Sequence, residues 1–170
     1  YQTHMALVRL TSAGALDTNF GTNGIVILDQ GLDNGNQIYA AAEALYATSG
    51  GFLVGGWSGT SRMGAKATLT KVDNDGNIVS AWGTNGTITS HVASGWYPAF
   101  SVDGSTILMS SDDAQGTAYV HRFSEATGAP VAVGMGANNY LTIDMSQTPF
   151  SGRSIRGIAL GTQSNLIVVS

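Results

Sequence analysis

Apolar and polar positions along this chain alternate in short runs with a period of two. In "ALVRL", Leu7 and Arg9 lie opposite Val8 and Leu10, the pattern of a half-buried strand. Further short apolar runs follow: "GIVIL" from Gly24, "GGFLVGGW" from Gly50, "STILMSS" from Ser105, "AYVHRF" from Ala118 and "NLIVVS" from Asn165. Turn-forming Gly, Asn, Asp and Ser separate them, as expected of strands joined by tight reversals. The helix-like exception is "YAAAEALY", Tyr39–Tyr46, rich in Ala and Glu. Its place in the order of runs nevertheless matches that of a strand.

The runs recur at long range. "LVRLTSAGALDTNFGTNGIVILD" occupies residues 7–29 and "LTKVDNDGNIVSAWGTNGTITSH" residues 69–91. Setting Gly14 on Gly76 and Gly21 on Gly83 gives one offset of 62 twice (76 − 14 and 83 − 21), without a gap. A weaker third copy covers 120–144, with Gly134-Met135-Gly136 in place of Gly-Thr-Asn-Gly. Pairs of apolar runs fill the intervals, so each unit reads as four short strands. Units of ~50–60 residues with four strands each predict β-propeller blades. The expected fold is therefore all-β and propeller-like, one region over residues 1–170 with about three four-stranded blade equivalents. The chain opens on a third strand and closes after a second, so its ends interrupt a blade. Three blades are fewer than the ~4–8 of a closed ring. The expectation is a partial propeller, either a window from a longer chain or one whose blades other chains complete.

The repeated loop has a structural explanation. Gly14, Phe20, Gly21, Asn23 and Gly24 in the first copy answer to Gly76, Trp82, Gly83, Asn85 and Gly86 in the second. Glycines supply positive φ, Asn-Gly suits a tight turn, and the aromatic before it fills the space between blades. The Lys and helix start of a phosphate-binding loop are missing.

At these residues the chain resembles the delta-60 repeat family of large bacterial surface and secreted proteins. That family's pattern is a strand ending in Arg-Leu, a turn, Leu-Asp-x-x-Phe-Gly-x-x-Gly and a Val-rich strand. "VRLTSAGALDTNFGTNGIVILD", from Val8 to Asp29, matches it closely. The second copy keeps Asp75-Gly76 and Trp82-Gly83 but has Ile78-Val79 in place of Leu-Asp, and the third is degenerate. The resemblance implies a β-propeller, an extracellular setting and no catalytic motif.

Charge narrows the partners. Charged residues make up 11% of the chain, well below the ~25% of an average domain. The net charge is −4 with 7 Lys and Arg, which offers no field for a phosphate backbone, so nucleic acid is not an expected partner. Apolar runs are too short for a membrane-spanning helix, and membrane insertion is not expected. With no Cys there is neither a disulfide framework nor a thiolate metal site.

Candidate chemistry is sparse. His4, His91 and His121 are far apart and lack metal-ligand spacing, and His121 beside Arg122 reads as an edge or surface imidazole. Asp73-Asn74-Asp75-Gly76-Asn77 resembles a calcium loop but lacks its later ligands, and the matching Ser12-Ala13-Gly14 cannot bind an ion, so a plain turn is expected. Asp112-Asp113 reads as an exposed loop pair. No Ser sits in a nucleophile motif, and the acids mostly occupy turns. Asn85-Gly86-Thr87 fits a glycosylation pattern, although its turn role already accounts for it.

Trp57, following a second strand, and Trp96-Tyr97, preceding a first strand, are the candidate ligand-binding aromatics, with inter-blade packing as the alternative. The functional expectation is a non-catalytic, extracellular binding, adhesion or scaffold module without cofactor or metal. Its expected partners are copies of itself, the rest of a longer chain, or a surface glycan or protein. The rivals are a self-assembling ring or filament subunit, and a lectin-like binder or enzyme with a site at the propeller mouth.

Overall fold

The computed structural model describes residues 3–28, 32–33, 36–61, 64–92, 98–113, 116–132, 139–145, 155–161 and 166–169. Among them the fold is all-β, without an α-helix. β1 (Met5–Val8) and β2 (Ile25–Leu28) pair with Met5 opposite Leu28. β3 (Leu32–Asp33) and β4 (Asn36–Gln37) form a minimal hairpin. β5 (Tyr39–Thr48), β6 (Gly51–Gly59), β7 (Lys66–Asp73) and β8 (Thr87–Thr89) form a four-stranded antiparallel sheet in chain order. A second such sheet comprises β9 (Phe100–Asp103), β10 (Thr106–Asp112), β11 (Thr117–Ser124) and β12 (Tyr140–Asp144). β13 (Gly157–Leu160) and β14 (Leu166–Val169) pair last.

The Ala-rich segment is strand, as its place in the order predicts. Helix propensity favours "YAAAEALY" by only tenths of a kcal/mol per residue, whereas β5 gains a full ladder to β6, broken by one bulge between Ala42 and Ala44. The bulge leaves Glu43 without a partner in the register.

Three apolar layers hold successive sheets face to face. Met5, Leu7 and Phe20 meet Val54 and Val72 in the first. Leu53, Leu69, Trp82 and Ile88 meet Phe100, Ile107, Met109 and Phe123 in the second. Leu108, Ala118 and Val120 meet Ile155 and Ile158 in the third. Ala67, Thr68, Leu69 and Thr70 are consecutive and all buried, because β7 has a sheet against each face. β5 and β9 are tied further by the Tyr46 hydroxyl, which donates to the Phe100 carbonyl at 2.7 Å. Burial raises the pKa of that hydroxyl.

Burial corrects two readings, one on β11 and one at the end of β10. His121 is a core residue, not an edge imidazole, since the sheet of β5–β8 lies against the face it occupies. Asp112 and Asp113 are half-buried rather than exposed. Asp113 accepts the Thr117 amide at 2.8 Å and the Tyr119 hydroxyl at 3.0 Å, which fastens the entry to β11.

Candidate functional site

The duplicated loops are built alike, each from a hairpin turn with left-handed backbone at its centre. Thr22 and Ile25 bond to each other twice, across Asn23 and Gly24 at φ +53 and +90. Thr84 and Thr87 do the same across Asn85 and Gly86 at +53 and +85. Positive φ at both central residues of a two-residue hairpin is a type I′ turn, for which Asn-Gly is the preferred pair. Gly21 and Gly83 also lie at positive φ, +53 and +57. A Cβ on Gly21 would sit 2.5 Å from the Ile25 carbonyl oxygen.

Each loop docks on a turn of the following sheet. Gly21 donates its N–H to the Asp75 carbonyl at 2.8 Å, and Gly83 donates to the Thr127 carbonyl at 2.9 Å. The contact closes because the receiving turn also presents a glycine. A Cβ on Gly76 would lie 2.5 Å from Gly21 N, and one on Gly128 would lie 2.7 Å from Gly83 N. Phe20 and Trp82 are driven into the layer beneath, and the Trp82 indole N–H donates to the Glu125 carbonyl at 2.8 Å.

A cation completes each latch. Arg9 pairs with Asp17 at 2.9 Å, lies 4.5 Å from the Phe20 ring centre and donates to the Asn74 carbonyl of the next sheet. Lys71, the residue 62 positions on, pairs with Glu125 at 2.8 Å and donates to its carbonyl at 3.3 Å, 5.9 Å from the Trp82 ring centre. Arg9 and Lys71 align in the repeat, but sequence reasoning did not single them out. Their common offset was visible; that both reach forward to a neighbouring turn was not.

The turn at Asp73–Asn77 is closed on itself. The Asp73 carboxylate accepts the Asn77 amide at 2.8 Å and the Asp75 amide at 2.9 Å, which holds its carboxyl below the usual range, Asn77 contributing most. Its oxygens serve the turn in the manner of an Asx turn.

Trp57 lies within β6, not after it. Its indole N–H donates to Glu43 at 3.3 Å. The ring borders a cleft of about 510 Å³ that also has Tyr39, Thr3, Thr60 and Ser61 on its walls. At 8% exposure Trp57 forms a wall of that cleft, and Tyr39 presents more ring to a ligand. Trp96 and Tyr97 lie outside the described residues.

The structure brings two histidines together that the sequence kept apart. His91 stacks on Tyr140 at 5.0 Å, and His121 meets the same ring at 5.6 Å. Ser111 Oγ lies 3.2 Å from His121 Nε2. Burial, and then the nearby His91, lower the pKa of His121 to about 4. Ser111 and His121 are both buried, which makes them a satisfied polar pair in the core rather than an accessible nucleophile and base. No group of three His, Asp or Glu arranged to hold a metal occurs among the described residues.

Comparison with protein-family models, with curated proteins and with solved structures finds no match to this chain.

Proposed function

We propose that this chain is part of a non-catalytic, extracellular β-propeller-type module that acts as a binding or adhesion scaffold. The observation that carries the reading is the latch. Two successive inter-sheet junctions use the same parts in the same order: an aromatic, a Gly–Gly contact, an Asn-Gly turn and a forward-reaching cation. Such investment in joining one sheet to the next is what a modular scaffold requires, and the four-stranded meander is the unit of a propeller blade. The surface setting rests on the resemblance of Val8–Asp29 to the delta-60 repeat.

Localisation tests it. Antibody raised against the chain should label intact cells of the producing organism, or its medium. Antigen detectable only after lysis would refute the extracellular role.

One observation favours a second reading, a lectin-like binder: the cleft beside Trp57 combines two aromatic rings with three hydroxyl-bearing side chains, the equipment for stacking on and hydrogen-bonding to a neutral sugar. Titration with neutral oligosaccharides should then change tryptophan fluorescence in the wild type and not in Trp57→Phe. An unchanged wild-type spectrum at millimolar sugar would remove this reading.

A further inference from the structure

Asparagine followed by glycine is a pair that reacts with its own backbone. The glycine N–H loses its proton to solvent base, and the nitrogen attacks the asparagine side-chain carbonyl carbon, Cγ. A C–N bond forms, the Cγ–Nδ2 bond breaks, and Nδ2 takes up a proton from water and leaves as ammonia. Water then opens the cyclic imide at either carbonyl, giving aspartate or isoaspartate. Glycine favours the first step because no side chain shields its nitrogen. Both duplicated loops carry the pair, as Asn23-Gly24 and Asn85-Gly86.

The fold places the two reacting groups in opposite surroundings. Asn23 and Asn85 are exposed, whereas Gly24 and Gly86 are buried. Each attacking nitrogen is also engaged. Gly24 N–H donates to the Phe20 carbonyl at 2.8 Å, and Gly86 N–H donates to the Trp82 carbonyl at 2.9 Å. A proton held in a buried hydrogen bond is not available to water. Ring closure further requires the asparagine to rotate until Cγ faces that nitrogen. The paired bonds between Thr22 and Ile25, 2.8 and 3.2 Å, and between Thr84 and Thr87, 2.8 and 3.1 Å, fix the torsion in the left-handed turn.

The accepting carbonyls are held in turn by the latch. They belong to Phe20 and Trp82, whose rings are 0% and 2% exposed. The residue after each, Gly21 or Gly83, is bonded to the following sheet. Releasing Gly24 N–H therefore means lifting the loop from the Asp75 turn, and releasing Gly86 N–H means lifting its counterpart from the Thr127 turn.

From this arrangement we infer that Asn23 and Asn85 are self-modification sites, each gated by its own latch. While a junction is closed, its asparagine survives in full contact with water. When the junction opens, the pair cyclises, and the product cannot return to the closed form. Isoaspartate carries the backbone through Cβ and so lengthens a two-residue reversal by one methylene. The Thr–Ile or Thr–Thr pair cannot bond across the longer path, and the packing leaves no space for it: a Cβ on Gly24 would already meet Leu16 Cβ at 3.1 Å, and one on Gly86 would run into the Ile78 side chain. Opening of a junction is thus recorded permanently at that junction. The inference rests on the latch geometry and goes beyond the scaffold reading, since it holds wherever the chain resides.

Mass spectrometry of proteolytic fragments, separating asparagine, aspartate and isoaspartate forms at Asn23 and Asn85, provides the test. Deamidation at both should be at least about tenfold slower in the folded 170-residue chain than in guanidinium chloride, because modification follows the population of the open form. Gly76→Ala, which pushes Gly21 off its turn, should accelerate Asn23 by about tenfold or more and leave Asn85 unchanged; Gly128→Ala should do the reverse. Arg9→Gln and Lys71→Gln loosen the same two junctions without overpacking and should act in the same crossed way, by about fivefold each. Circular dichroism identifies the variants that are folded, and the comparison is made on those. A folded rate equal to the unfolded one at either asparagine overturns the gating. Acceleration of both asparagines alike in the folded variants, or of neither, overturns the assignment of each site to its own latch.

Discussion

Gly76→Ala probes the latch with its own control in the same chain. Gly14 and Gly76 share a turn position and a left-handed backbone, at φ +81 and +89. Placing alanine in that conformation costs about 1–2 kcal/mol in either turn. At Gly14 the cost ends there, because a Cβ meets nothing within 4 Å. At Gly76 the new Cβ would lie 2.5 Å from Gly21 N, 2.8 Å from Gly21 Cα and 2.9 Å from Val26 Cγ2. Two of those atoms are backbone, so the turn and loop must part. Parting them adds an overpacking cost of about 1–3 kcal/mol. It also breaks the 2.8 Å bond from Gly21 N–H to the Asp75 carbonyl, worth about 1 kcal/mol. Gly76→Ala should therefore destabilise by about 3–6 kcal/mol, about 2–4 kcal/mol more than Gly14→Ala. For a chain of this size that is a loss in Tm of about 10 °C against about 4 °C. The assay is thermal melting by far-ultraviolet circular dichroism. Equal losses in the two variants would refute the reasoning, since backbone strain alone would then account for both.

Three further outcomes follow from the same geometry. Gly21→Val and Gly83→Val should each lower Tm more than Gly76→Ala, because a β-branched residue at φ +53 or +57 also meets the Ile25 or Thr87 carbonyl at 2.5 or 2.7 Å; unchanged melting would show that the loops impose no such geometry. Trp82→Phe should cost about 1–2 kcal/mol in urea denaturation, for the lost indole bond to Glu125 and the smaller ring; a cost near zero would mean that Lys71 alone satisfies that carbonyl. His121 is buried and neutral, its pKa lowered from 6.5 to about 4 by burial and then by His91 across Tyr140. The unfolded chain therefore binds a proton between about pH 6.5 and 4 that the folded chain refuses, so stability is full above that window and falls on acidification, by on the order of 3 kcal/mol at its lower end. Urea midpoints at about pH 7.5 and 4.5 should show the drop in the wild type and a flatter profile in His121→Met; the same slope in both would place the effect elsewhere.

Much of the fold was legible because its signals are local. Alternation marked the strands, and the Asn-Gly pairs fixed type I′ reversals at Asn23-Gly24 and Asn85-Gly86, since few other residues accept positive φ at both places. Order in the repeat even overrode the helical look of Tyr39–Tyr46, which is β5. What the sequence by itself could not determine depends on residues distant along the chain. Nothing about Gly76 declares that Gly21 will press against it, nor about Arg9 and Lys71 that each crosses to the next sheet; these follow from how the faces stack. His121 looked like a surface residue because its neighbours on β11 alternate, yet a strand with sheets on both faces buries either parity. Trp57 and its cleft arise likewise where the end of β6 meets Thr3 and Tyr39. Local backbone preference is written residue by residue, whereas burial and docking belong to surfaces that exist only once the sheets have packed.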